Sequence, residues 1–212
     1  MPREPAPSAA DYLPSRRTLI SLRAAAARCR GCDLYKYATQ TVFGEGRVRA
    51  ALMLVGEQPG DSEDRDGRPF VGPAGRVLHD AMESAGIDPR GVYVTNAVKH
   101  FKFVDRGKRR IHNKPKTIEI RACKPWLEAE IAAVKPALIV ALGATAAQSL
   151  LGAGFKLLAN RARLIVSNDV SRPVFPTIHP SAILRAPDSE TRRKEMRTFV
   201  HDLTAAAQAS RA

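Results

Sequence analysis

The chain has 212 residues, of which 44% are hydrophobic and 26% charged, and a formal net charge of +13 with a pI near 10.2. That length and apolar fraction support a substantial core and exclude a disordered chain. No apolar run approaches the ~20 residues needed to cross a bilayer, and no apolar signal core opens the chain, so a cytoplasmic protein without membrane contact is expected. The first residues, MPREPAPSAADYLPS, are rich in Pro and Ala. Residues 1–14 are expected to be disordered, ahead of a single domain over 15–212. Residues 15–28 have helical spacing through Leu19, Leu22 and Ala26 and run into Cys29-Arg-Gly-Cys32. Taken alone, this CxxC fits a redox pair, half a metal site, or chance. The three cysteines (Cys29, Cys32, Cys123) are an odd number, which argues against a disulfide framework.

Residues 50–55 (AALMLV) form a buried-strand signal ending at Gly56. A loop rich in Gly, Pro and Asp follows over 57–72, then helical spacing over 74–86. Residues 92–98 (VYVTNAV) give a second strand, and 116–134 a long helix in which Pro125 predicts a break or kink near Cys123. Residues 137–142 (ALIVAL) give a third strand and 144–151 a helix. Shorter strands are expected at 163–167 and 174–178, and a last helix at 189–208. Strands alternating with helices predict a three-layer α/β domain with a mostly parallel sheet. Ligands in such folds bind beyond the carboxyl ends of the strands. The loops at 57–72, 99–115 and 179–185 all follow strands and are expected to share one site.

The charge is concentrated. Residues 99–116 contain Lys99, Lys102, Arg106, Lys108, Arg109, Arg110, Lys114 and Lys116 against the single acid Asp105. Phe101 and Phe103 interleave with them, and mixed basic and aromatic surfaces suit nucleic acid. The stretch shows neither helical nor strand periodicity and is expected to be a loop; read alone, it is a solvated basic surface. GEQPG at 56–60 brings two glycines, a proline, Glu57 and Asp61 to the end of a strand, with Phe70 of PFVGPAG available to stack on a planar ring. It lacks the GK[ST] of a P-loop. HPSAILR at 179–185 offers His179 as a donor to a developing anion. Ser181 is expected to cap the helix that follows.

GEQPG, PFVGPAG, the strand ending at Asn96, the CxxC and HPSAILR together resemble the family 4 uracil-DNA glycosylases over roughly residues 25–205. The resemblance implies the α/β/α uracil-DNA glycosylase fold, a 4Fe–4S cluster, and excision of uracil from DNA by base flipping. Two departures point to one branch. His100 stands where family 4 has a cysteine, and a KRRIH insertion covers 108–112; both resemble the UdgX branch, whose members stay covalently attached to uracil-DNA.

On that resemblance, Cys29, Cys32, Cys123 and His100 hold the cluster. Phe70 stacks the base, Asn96 reads its edge, and Gly56 and Gln58 lie beside it. His179 stabilises the uracil anion, Glu57 assists, and Asp61 and Asp64 position the loop or its histidine. His112 is the nucleophile on C1′, with Arg109 and Arg110 keeping its ring neutral. Lys108, Arg109, Arg110, Ser181 and Arg185 hold DNA, single strands by preference, and the protein is a monomer. The competing readings are an ordinary turnover glycosylase, a non-catalytic iron–sulfur nucleic-acid-binding protein, and a CxxC redox protein.

Overall fold

The computed structural model describes residues 7–168 and 170–211. Its centre is a six-stranded sheet in the order β1-β3-β2-β6-β8-β7. The four inner strands are β3 (Tyr93–Asn96), β2 (Leu52–Gly56), β6 (Leu138–Leu142) and β8 (Val170–Thr177), and they run parallel. β1 (Glu45–Gly46) and β7 (Ile165–Ser167) are antiparallel edges. The strands of the expected parallel sheet are all present, with ends shifted by a few residues.

Side-chain alternation along the inner strands separates two cores. Leu52, Leu54, Val140 and Leu142 pack on one face against α3 (Pro73–Ser84), α6 (Pro180–Leu184) and α7 (Ser189–Ala209). Met53, Val55, Ile139 and Ala141 pack on the other against α4 (Thr117–Val134) and α5 (Ala144–Leu151). Both faces of β2 and β6 are buried, which is why these strands are apolar throughout instead of alternating. The result is three layers, α/β/α. Among the described residues no helix is long and apolar enough to cross a membrane.

Three expectations change. α4 runs unbroken through Pro125 from Thr117 to Val134. Its buried Cys123, Trp126, Leu127, Glu130 and Ile131 anchor both sides of the proline, and packing outweighs the lost backbone bond. Residues 1–6 of the expected disordered start lie outside the described residues. The segment from Ser8 to Tyr12 is ordered. Ser8 caps a 3-10 turn over Ala9–Tyr12, and Ala9 is fully buried in a third cluster with α1 (Leu19–Ala26) and α4.

The third change concerns the basic segment, which is a β-hairpin. β4 (Phe103–Arg106) pairs antiparallel with β5 (Arg109–His112). Gly107, at φ 61°, supplies the positive φ required at the first position of a tight two-residue turn. The register sets Phe103 opposite His112 and Asp105 opposite Arg110, on one face. Val104, Ile111 and Arg109 fall on the other face and are exposed. The strand period was hidden because charged residues occupy both faces.

Candidate active site

β2, β3, β6 and β8 end on the same side of the sheet, and a cleft of ≈ 800 Å³ opens there. Strand order reverses about β2, the topology at which open α/β sheets hold ligands. Glu57, Gln58, Asp61, Phe70, Asn96, His112, His179, Ser181 and Arg185 all line it. The three loops expected to share a site therefore do.

Gly56, Asn96 and Phe70 meet at the cleft floor. A Cβ on Gly56 would lie 2.4 Å from Asn96 Oδ1 and 2.7 Å from Phe70 Cζ, so only glycine lets the two side chains approach. Phe70 adopts φ 56°, and its ring lies nearly parallel to the His179 ring at 6.4 Å. The amide of Asn96 and the ring face of Phe70 suit a planar heterocycle with hydrogen-bonding edges.

Glu57 and His112 meet in the cleft. His112 Nε2 lies 3.0 Å from Glu57 Oε1, and the Thr145 hydroxyl donates to Glu57 Oε2. Burial raises the Glu57 pKa. The hydrogen bonds from His112 and Thr145, with the charges of His112 and His179, outweigh that, and the carboxyl titrates below its ordinary value.

His179 itself caps α6, not Ser181. Its Nδ1 accepts from the Ser181 amide at 3.1 Å and lies 2.8 Å from Ser181 Oγ, which in turn accepts from Arg185. With Nδ1 an acceptor, the ring proton is on Nε2. Burial pushes the pKa of this ring down to about 4, with Arg185 and His112 adding to the effect against Glu57. His179 is thus a neutral donor at neutral pH, the form that stabilises a developing anion.

Two side chains have partners other than those expected. The Gln58 amide, expected at the base, clasps the hairpin. It donates to Lys102 O and Asn113 O, each at 3.1 Å, and accepts from Lys102 N at 3.0 Å. Every short-range bond of that amide goes to the feet of β4 and β5. Arg110, expected both at phosphate and as the anchor of its loop, bonds to Asp61 and to the buried Asp64, and its guanidinium lies over Phe101 and Phe103. Its charge is met by these two carboxylates and is not directed at the His112 ring. Lys108 and Arg109 are exposed at the hairpin tip.

The cysteines gather elsewhere, beneath α1. Cys29 and Cys123 are buried in one apolar cluster, with Cys32 packed against it. Burial raises the pKa of Cys32 and pushes that of Cys123 up to about 12, with neighbouring thiols adding to both. Trp126 Nε1, in the same cluster, has no hydrogen-bond partner among the described residues. His100 is buried, and its Nε2 lies 2.8 Å from Thr41 Oγ1. The single Thr41 proton goes to Ala26 O, so His100 Nε2 is the donor and Nδ1 has the lone pair. Three soft thiols and an oriented imidazole are a donor set that fits an iron–sulfur cluster.

A family model described as the uracil DNA glycosylase superfamily matches residues 43–204. The chain belongs to that superfamily. A type-4 uracil-DNA glycosylase of Pyrobaculum aerophilum is 36% identical over 171 residues, covering 75% of this chain and 81% of that protein. The type-4 enzyme of Thermotoga maritima is 38% identical over 170 residues, covering 78% and 83%. A type-5 enzyme of Thermus thermophilus is 33% identical over 130 residues, covering 54% and 56%. The type-4 relatives place this glycosylase-superfamily chain in family 4.

Sequence reasoning overlooked two residues of the superfamily cleft. Thr145, at the start of α5, fixes Glu57 from 88 positions away in the chain. Glu63 is a buried carboxylate that accepts from Gly60 N at 3.0 Å and Gly72 N at 2.9 Å, tying the GEQPG loop to the Phe70 loop. An acid among SEDRD reads as solvated. The only signal was its place three residues after Gly60, where an acid caps a helix start.

Proposed function

We propose that the protein recognises uracil in DNA, cleaves its N-glycosidic bond, and retains the sugar as a covalent adduct on His112, as a member of the UdgX branch. The observation that carries this reading is the 3.0 Å contact between His112 Nε2 and Glu57 Oε1, made inside the cleft by a hairpin clamped at Gln58 and Arg110.

A flipped uracil stacks on Phe70 and meets Asn96 at its edge. Departure takes the electrons of the C1′–N bond onto uracil, and the His179 Nε2 proton stabilises that anion. The sugar is left cation-like. The lone-pair nitrogen of neutral His112 forms the new bond to C1′, and the alkylated ring then releases its remaining N–H proton to Glu57. A neutral N-alkyl imidazole is a poor leaving group, so the reaction stops after one turnover. A nucleophile held in this way has an effective concentration on the order of 10⁵ M or more, which favours it over water. Glu57 orients the ring and accepts its proton.

Cys29, Cys32, Cys123 and His100 would hold a 4Fe–4S cluster, which when bound supplies a structural crosslink between the start of the chain and α4. The partner is uracil-containing DNA, single strands preferred, with Lys108, Arg109, Ser181 and Arg185 near phosphate and the protein acting as a monomer.

The test is a denaturing gel after mixing the protein with uracil-containing single-stranded DNA. A band that survives SDS and heat, and that His112→Ala abolishes, is the expected outcome. No such band, with free uracil released beyond one equivalent, selects an ordinary turnover glycosylase instead. Equal affinity for uracil- and thymine-containing strands selects a non-catalytic binder.

A further inference from the structure

Lys99 and Glu130 are the two ends of an ion pair with no solvent exposure. The Lys99 ammonium uses all three of its donors: on the Glu130 carboxylate, on Thr95 Oγ1 at 2.6 Å and on Asn96 O at 2.6 Å. Glu130 Oε1 in turn accepts from the Tyr93 hydroxyl and the Gly44 amide, each at 2.9 Å. Tyr93, Thr95 and Asn96 are the residues of β3 that lead into the cleft. A buried pair of this kind adds little stability over an apolar pair of similar volume. Its contacts are more informative than its energy.

Asn96 is gripped from behind by this network. Its carbonyl accepts from Lys99, and the next amide, Ala97 N–H, donates to Gly56 O at 2.9 Å. Both sides of the 96–97 peptide are therefore fixed. The direction of the Asn96 side chain, whose Oδ1 faces Gly56 and the cleft, follows from that peptide. The Lys99 main chain is anchored as well: its amide donates to Cys123 Sγ at 3.2 Å and its carbonyl accepts from Val42 at 2.8 Å.

We propose that Lys99, braced by Glu130, is a positioning residue for uracil recognition, holding the Asn96 main chain so that the side-chain amide meets the edge of the flipped base. This rests on the uracil-binding reading above. Base discrimination depends on the placement of one amide to within a few tenths of an ångström, and the pair supplies a rigid, dry mount for it.

The test separates positioning from stability. The double variant Lys99→Met/Glu130→Gln removes both charges and keeps an oxygen acceptor for Tyr93 and Gly44. Affinity is measured for a single strand carrying one 2′-fluoro-2′-deoxyuridine, whose fluorine resists cleavage, and for the matched thymine strand. The expected result is a loss of about tenfold in the uracil-over-thymine ratio, unchanged thymine-strand affinity, and a melting temperature close to that of the unaltered protein. In an Asn96→Ala background the same double change is expected to leave the ratio where it is, because the residue it positions is gone. An unchanged ratio in the folded double variant overturns the proposal and makes the pair purely structural. If that variant does not fold, Glu130→Gln alone decides: a reduced ratio supports positioning and an unaltered one overturns it. An unaltered protein with no uracil preference sinks the uracil reading itself, a result distinct from either.

Discussion

His112 is half-exposed, and its ring has one protein partner that matters for chemistry, Glu57. Thr145 donates to the other oxygen of that carboxylate and helps keep it ionised. Thr145→Val preserves shape and removes the donor. The Glu57 pKa is then expected to rise towards its ordinary value, since a hydrogen bond to the charged form is lost. The acid limb of the pH–rate profile for adduct formation should move to higher pH, with the rate a few-fold lower below about pH 5 and little changed near pH 7. A profile identical to that of the unaltered protein would remove Thr145 from the mechanism. Glu57, Phe70 and His179 were legible as candidates because they sit in compact motifs after strands, whereas Asn96 and His112 were singled out by the family resemblance. Thr145 was not, since a threonine in GATAAQ reads as an ordinary helix start.

The β4–β5 hairpin is the element that brings His112 to the cleft, and Gln58, with Arg110 reaching out from β5, holds it there. Gln58 ties its feet and Arg110 pins its inner face to Asp61 and Asp64. Arg110→Ala leaves the wholly buried Asp64 without its cation and is expected to destabilise the protein by about 3 kcal/mol. Gln58→Ala removes three hydrogen bonds and is expected to cost about 1–3 kcal/mol. Hydrogen exchange locates the effect. Amide protection in 103–112 should fall in both variants while the β2 and β6 amides of Gln58→Ala stay protected. Adduct formation should slow, because His112 no longer rests on Glu57. Unchanged exchange in the hairpin would mean that its own ladder suffices. Composition marked this segment as basic and aromatic. Its strand form was illegible because the inward partners of Phe103 and His112 lie on other elements, so no polar/apolar alternation is written locally.

At the scale of the molecule, one buried histidine is expected to make stability depend on pH. Burial lowers the pKa of His179 to about 4. Between about pH 6.5 and 4 the unfolded chain binds a proton on this ring and the folded chain does not. Its contribution is full above pH 6.5 and is lost as the pH falls through that window, by up to about 3 kcal/mol. Urea denaturation at pH 7 and pH 5 checks this. His179→Asn should reduce the difference, and a difference that stays the same would place the acid sensitivity elsewhere. The net charge of +13 carries a second expectation. Affinity for a thymine-containing strand should fall linearly in a log–log plot against salt concentration. An adduct, once formed, should be indifferent to salt.

The sequence by itself determined the layer architecture, the parallel sheet and the neighbourhood of the site. Apolar runs of strand length and helical repeats are local properties, and strand ends are where such sheets hold ligands. It also put the reactive candidates into a few short motifs. Only the tertiary structure decided what those side chains do. Gln58 became a clasp, Arg110 a clamp, His179 the cap of its own helix, and Lys99 a buried partner of Glu130. His179's cap is a local contact, hidden because Ser181 is the usual type of capping residue. For the other three, a polar side chain's role depends on which donors and acceptors lie within about 3 Å of it, and those come from residues 31 to 55 positions away, brought close only when the sheet and its two helical layers assemble.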